Sequence, residues 1–348
     1  MFRIKVRDWK QRNFKQIGEG GEAVIYKMRE DLVAKIFRQP DDLEFKEDAA
    51  SREAAKVRLD EMQTKLLEFP TDLPEALIAP TAVLVDGRDE VFGYVMPFVK
   101  GTSLDAETRT DSKLSLRERY KVITELHDLI SGLHAKDVVV GDLGENNLLL
   151  REQDLALRMI DADSLQFGPY QCRTFVPRFV DPKILGIGGN VGLEIPTKLA
   201  KAKKTRSTGR KSSTQTTRKR KTKKAEKLIP EVSAVNKAVY SLVAPHYKLG
   251  DWYSYLVTVM RLLTFTDPYA GVVAGMDLSE RLANRVTVFD PRVIYPENAR
   301  SLKEVPRPIL EIFFQVFHRG ERFVPEKAVF ESLLGKSSVS ENKKQAKL

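Results

Sequence analysis

The chain contains one cysteine, Cys172, in 348 residues. A single thiol excludes an intramolecular disulfide framework and a multi-cysteine zinc site. Histidine is scarce as well: four scattered residues give no triad at metal-ligand spacing. No stretch approaches the roughly 18 uncharged apolar residues that a membrane span needs. The opening residues, MFRIKVRDWKQRN, hold no apolar run of the kind that marks a secretory signal. The expected address is the cytoplasm, with no membrane partner. Internal repeats are absent. What is present is 42% hydrophobic and 30% charged residues, a globular composition and not a fibrous or disordered one. The length suits two domains or one large bilobal one, and it is enough to bury a core without covalent staples.

The net charge of +10 is unevenly placed. Residues 198–227 hold 14 Lys or Arg and one Glu, a net of +13, so the other 318 residues carry −3. The high pI belongs to one segment, which argues against a nucleic-acid-binding fold with a basic face. That segment lacks aromatics, has one Leu and is rich in Ser and Thr. Like charges repel and there is little apolar surface to bury, so disorder is expected. A disordered basic insertion is read over 188–230, opened by Gly188, Gly189 and Gly192 and closed by Pro230. A second disordered tail is read over 336–348.

Elsewhere the pattern changes once. Residues 12–36 and 80–97 show short β-rich runs, with Gly87 in a hairpin-like turn. Between them, 43–69 lacks Gly, is rich in Ala, Glu, Lys and Leu, and predicts a long helix. After Pro97 the chain turns helical. Residues 115–136 repeat apolar side chains at helical spacing behind Ser115 and Glu118, a capping box. Residues 250–265 and 308–318 predict further helices. The expectation is a small β-rich lobe with one helix, then a larger helical lobe, joined near Met96–Gly101.

Four constellations carry chemistry. Ile17-Gly18-Glu19-Gly20-Gly21-Glu22-Ala23-Val24-Ile25 reads as a strand, a glycine turn and a strand, whose N–H groups can approach phosphates closely. Alone it is equally an ordinary turn. Lys35, in Val33-Ala34-Lys35-Ile36-Phe37, puts a cation on a strand, and Glu53 follows 18 residues later in the long helix. A Lys–Glu pair there would fix the ammonium for phosphate oxygens, although a strand lysine and a helix glutamate are individually bland. Asp142 and Asn147 lie five apart in a loop that leads into an apolar strand. Asp161 follows 14 residues beyond Asn147. These spacings can supply one base and two hard-oxygen ligands for Mg²⁺.

In this order the motifs resemble the protein-kinase superfamily. The resemblance covers about residues 12–185 and 247–333. It implies an α+β, bilobal kinase-like fold: a small β-rich N-lobe with one long helix over 1–97, and a larger, mostly helical C-lobe over 98–335 interrupted by the insertion. It implies ATP and Mg²⁺ (or Mn²⁺) as cofactors and a protein substrate. Asp142 would be the catalytic base, Lys35 would bind phosphates and pair with Glu53, and Asn147 and Asp161 would hold the metal. Gly18, Gly20, Ala23, Ile25, Ala34, Met96 and Phe98 would line the nucleotide, with Val95 to Val99 as the hinge. Asp251, at the start of a central helix, would anchor the catalytic-loop backbone. Gly-Asp-Leu-x-x-x-Asn followed by Ile-Asp-x-Asp-Ser further resembles a divergent, mainly bacterial group of Ser/Thr kinases often fused to helix-hairpin-helix modules.

The departures are equally specific. Val140-Gly141 stands where His-Arg is usual, so activation by a loop phosphate is not expected. Gly144 replaces a Lys. Ala162 and Asp163 replace the Phe and Gly of Asp-Phe-Gly, and Ala23 replaces the third loop glycine. Asp181-Pro182-Lys183 replaces Ala-Pro-Glu, with Arg322 as the natural arginine and no Glu to meet it. The implied activity is an ATP-dependent Ser/Thr kinase. The alternative is a pseudokinase or ATP-binding regulatory scaffold, tethered to nucleic acid or another polyanion through 198–227.

The charge of that segment alone makes a prediction. Deleting 198–227 is expected to remove most non-specific DNA or RNA retention in a filter assay, and the parent's retention is expected to fall steeply with salt through counterion release. Equal retention by both proteins at low salt would sink the idea.

Overall fold

A computed structural model describes residues 1–7, 9, 13–42, 45, 49–185 and 242–334. The basic insertion read over 188–230 and the tail read over 336–348 lie outside them. The chain is α+β. Six strands, β1 (Phe2–Lys5), β2 (Lys15–Glu19), β3 (Ala23–Lys27), β4 (Leu32–Phe37), β5 (Ala82–Val85) and β6 (Val91–Pro97), form one sheet in the order β1-β5-β6-β4-β3-β2. β1 runs parallel to β5, and the other pairs are antiparallel. β-branched and aromatic residues dominate these runs and suit a pleated, half-buried surface.

Strand alternation gives the sheet two apolar faces. Val33 and Phe37 of β4 join Ala23, Val83, Tyr94 and Met96 in one cluster. Ala34 joins Val6, Ala82, Leu84 and Val95 in another, on the opposite face. The first face is covered by α1 (Ala49–Lys65), through Leu59 and Met62, and by Leu66 just after it. On the second face Trp9 packs against the rings of Phe14, Tyr26 and Phe92.

Beyond β6 come β7 (Gly101–Ser103), α2 (Leu104–Glu107), α3 (Leu116–Ala135), β8 (Leu148–Arg151) and β9 (Leu157–Met159). The three strands make a small antiparallel sheet in the order β7-β8-β9. Past the undescribed stretch lie α4 (Lys248–Thr264), α5 (Leu278–Ala283) and α6 (Arg307–Phe313), the last continuing as a π turn over Phe314–His318. The Ser115–Glu118 capping box is formed at the start of α3. α4 is buried on all sides from Gly250 to Thr264, as expected of a helix at the centre of a core. Among the described residues no helix is long and apolar enough to cross a membrane.

Among the described residues, several contacts join the chain before 186 to the chain after 241. The Val243 N–H donates to the Ile184 carbonyl at 2.9 Å. Arg322 forks onto Asp181, Nε to Oδ2 at 2.5 Å and Nη2 to Oδ1 at 2.6 Å. The Tyr247 hydroxyl and the Lys183 N–H also donate to this carboxylate. The acid that meets Arg322 is therefore Asp181, two residues before Lys183. Burial opposes the Asp181 charge, but Arg322 and Tyr247 hold its carboxyl below the usual value of 3.8.

Removing one partner of a buried pair strands the other. Asp181→Ala is expected to cost about 3–5 kcal/mol in chemical denaturation. A depressed carboxylate pKa contributes stability that is complete above the unfolded value and is lost as pH falls through the folded one. The parent should thus lose stability below about pH 4, and the Asp181→Ala variant should show a shallower loss there. An unchanged midpoint in the variant would refute the role of the pair.

Candidate active site

The loop between α3 and β8 is held from α4. Asp251 accepts the Val140 N–H at 2.7 Å, the Gly141 N–H at 2.9 Å and a hydrogen bond from His134 Nε2 at 2.8 Å. One buried carboxylate thus satisfies two backbone donors that would otherwise be orphaned. The loop is then folded on itself. Asp142 N–H donates to the Val140 carbonyl at 2.8 Å, and Asn147 Nδ2 donates to the Asp142 carbonyl at 3.0 Å. Glu145, between them, is buried and paired with Arg261 of α4 at 2.6 Å. Arg261 also forks onto Asp267 at 3.0 Å.

Asn147 and Asp161 share one end of the β8–β9 hairpin, where the Ile160 N–H donates to the Asn147 carbonyl at 2.9 Å. Asp161 has φ +67°, a left-handed conformation that costs a non-glycine residue energy and that clusters at functional sites. Its side chain is 36% exposed. Asn147 and Asp161 together are an open set of hard-oxygen groups. Among the described residues no cluster of three His, Cys, Asp or Glu side chains forms a closed metal cage. An open set suits Mg²⁺, which is usually held by one or two carboxylates together with substrate phosphates.

Lys35 sits on β4, 6% exposed. Its ammonium pairs with Asp161 and, at 2.7 Å, with Asp163. The Tyr94 hydroxyl of β6 donates to the same Asp163 oxygen at 2.6 Å. Burial works against the Lys35 charge, yet Asp163 and Asp161 outweigh it and hold the ammonium above the ordinary lysine value. Burial likewise opposes the Asp163 charge, and Lys35 with Tyr94 holds that carboxyl low.

Two expected site residues lie elsewhere. Glu53 does not meet Lys35; it is exposed on α1. The inward face of that helix carries Ala55, Leu59, Met62 and Leu66, and Glu53 lies about half a turn away from it at 100° per residue. Ala34 does not share a face with Lys35, because successive strand residues point to opposite sides. Ala34 packs with Val6 and Leu84, and Val33 occupies the place expected of it beside Met96.

The remaining residues fall together. Ala23 and Met96 are buried in the Val33 cluster, and Ile25, Phe98 and Ile160 pack against it. Gly18 lies on β2 opposite Ile25 of β3, and the Gly20 N–H donates to the Ala23 carbonyl at 2.9 Å to close the turn. Arginines clamp this hairpin. Arg38 donates to the Gly20 carbonyl at 2.9 Å and pairs with Glu19, while Arg58 of α1 pairs with Glu22 at 3.2 Å. A cavity of about 1470 Å³ opens beside Pro97–Lys100, lined by Phe69, Pro74 and Arg158 among others; Lys35, Asp142 and Asp161 do not line it.

Gly141 stands where the resemblance leads to an expected arginine, and the position has no room for a side chain. Its φ is +70°, and a Cβ there would lie 2.7 Å from Cys172 Cβ, 2.8 Å from Cys172 Sγ and 3.1 Å from His246 Cγ. Burial pushes the Cys172 thiol up to about 12, so this sulfur packs as an uncharged group. Asp163, Tyr94, Val33 and Asp181 were not picked out as site or anchor residues from sequence. For Val33 the signal was available, since strand alternation counted from Lys35 selects it.

No protein-family model and no curated protein matches the chain. The site therefore rests on its own geometry. Gly141→Ala is expected to destabilise the protein by about 1–3 kcal/mol, as overpacking does, and Cys172→Gly in the same chain should recover part of the loss. A Gly141→Ala variant with the parent's melting temperature would show that the contact is loose.

Proposed function

We propose that the chain is an ATP-dependent protein kinase, cytoplasmic, that transfers the γ-phosphate to Ser or Thr hydroxyls. On this reading the six-stranded sheet with α1 is the small lobe over 1–97, and 98–335 is the large lobe of a two-lobed kinase-like arrangement. The observation that carries it is the convergence of Lys35, Asp142, Asn147 and Asp161 on one hydrogen-bonded array between the middle of β4 and the open end of the β8–β9 hairpin. Phosphoryl transfer is mostly positioning and charge stabilisation, so a preorganised array of this kind is what the reaction needs.

The roles follow from the chemistry of each group. Lys35 meets nucleotide phosphates. Asn147 and Asp161 hold Mg²⁺ or Mn²⁺, which neutralises phosphate charge when bound. Asp142 accepts the proton of the substrate hydroxyl. The Gly18–Ala23 turn offers backbone N–H groups to phosphates, and Ile25, Val33, Met96 and Phe98 supply apolar walls for a base. Gly141 leaves no cation to read a phosphate on the following segment, so activity does not depend on such a phosphate. One observation favours a second reading, an ATP-binding scaffold without transfer: Lys35 is engaged by two carboxylates at once, and Gly144 offers no further cation.

Purified protein with labelled ATP and Mg²⁺ is expected to autophosphorylate slowly. Lys35→Met, Asp142→Asn and Asp161→Asn should each abolish the signal while leaving the fold intact by circular dichroism. An Asp142→Asn variant as active as the parent would remove the base assignment. A parent that binds ATP but transfers nothing to itself or to generic substrates would leave the scaffold reading.

A further inference from the structure

A second cavity, of about 100 Å³, opens where Lys183, the end of α5 and the turn at Gly320 meet. Pockets for drug-sized ligands start at roughly 300 Å³. At about 30 Å³ per water this one holds about three waters, the room of one small ion and not of a nucleotide. Its polar side chains are Lys183, Tyr269, Arg285 and Arg322, and no carboxylate lines it.

The side chains of Lys183 and Arg285 have no hydrogen bond or ion pair among the described residues. Exposed basic side chains of that kind are ordinary by themselves. Further observations make these two part of a set. Arg285 has φ +52°, a left-handed conformation that costs a non-glycine residue energy. Its guanidinium lies against Gly320, where an added Cβ would stand 2.8 Å from Arg285 Cζ and Nε. Tyr269 is half-buried, and its hydroxyl has no partner among the described residues. Burial pushes that phenol up to about 12, so it stays a protonated donor.

Arg322 completes the lining with its charge already balanced. Its Nε and Nη2 are on Asp181, and its Nη1 donates to the Val316 and Glu321 carbonyls. One guanidinium N–H is left over. Asp181 is itself buried and is taken up by this arginine. Lys183 and Arg285 therefore leave the cavity with two uncompensated positive charges, beside two more groups that can donate.

We propose that this cavity binds a phosphate dianion, free or as the phosphomonoester of a phosphorylated side chain. Such a group carries about −1.5 to −2 at pH 7, which the charges of Lys183 and Arg285 match. Arginine can fork onto it through two parallel hydrogen bonds. The bound ion ties Lys183, the end of α5 and the Gly320 turn together beside the Asp181–Arg322 pair. The site does not depend on the kinase reading, because no residue of the proposed nucleotide site lines the cavity.

The test uses the full chain with inorganic phosphate at fixed ionic strength, read by thermal melting and by broadening of the phosphorus NMR line. Phosphate is expected to raise the parent's melting temperature above that in matched chloride. Arg285→Gln and Lys183→Gln should each weaken binding about tenfold or more, the loss of a charge-assisted hydrogen bond. Their phosphate-free melting temperatures should stay at the parent's. Lys35→Met should keep the phosphate effect in full. Equal responses from the parent and the Lys183→Gln, Arg285→Gln double variant would overturn the proposal, since phosphate would then act on the whole surface. An effect lost in Lys35→Met would place the ion on β4 and overturn it as well. A phosphoserine peptide and its unphosphorylated twin separate the two sources. Tighter binding of the phosphopeptide than of inorganic phosphate assigns the site to a phosphorylated side chain, and equal or weaker binding assigns it to the free ion.

Discussion

A lysine buried in the middle of a sheet strand must be answered by negative charge, or it costs several kcal/mol. Lys35 is answered from outside its own sheet, by Asp161 and Asp163 on the turn after β9. The six-stranded sheet and the β8–β9 hairpin are joined at that point by electrostatics. Everything polar in the site hangs from this joint. The Ile160 N–H bonds Asn147, Asn147 bonds the Asp142 carbonyl, and Asp251 of α4 holds Val140 and Gly141 just before it. The array runs from an interior strand to the most buried helix through the Lys35–Asp161 ion pair and the hydrogen bonds that follow it.

The helix that covers the sheet contributes differently. α1 sends cations inward, Arg58 to the glycine-rich turn and Lys65 over the Phe167 ring, while its glutamates lie exposed or at the flank. The glycine-rich turn is itself acidic, through Glu19 and Glu22, and meets arginine on both sides. On the proposed reading this hairpin lies beside phosphates, and its own carboxylates would be neutralised before an anion arrives.

Local patterns were legible in the sequence, and partners across space were not. The α3 capping box, the buried α4 and the five-residue spacing of Asp142 and Asn147 are all set within a few turns of chain. The Asp251 anchor came with the family resemblance, not with the local pattern, which marked only the helix that it opens. Glu53 was selected by its distance along the chain from Lys35, among five glutamates in 43–69. Chain distance does not say which side of a helix faces in, and the apolar positions Ala55, Leu59, Met62 and Leu66 would have said it. Asp181 and Arg322 are 141 residues apart, and no local rule pairs them. The volume that leaves no room for a side chain at position 141 comes from Cys172, 31 positions further along the chain, and from His246.

The hydrogen bond from Val243 to Ile184 brings the two ends of a long stretch of chain to within one peptide of each other. Loop-closure entropy grows only with the logarithm of length, so doubling a flexible connection between fixed ends costs about 0.6 kcal/mol. Ile184 and Val243 are therefore neighbours in space whatever chain lies between them, and the Asp181–Arg322 clasp ties the flanks a second time, with the far end of the chain as its partner.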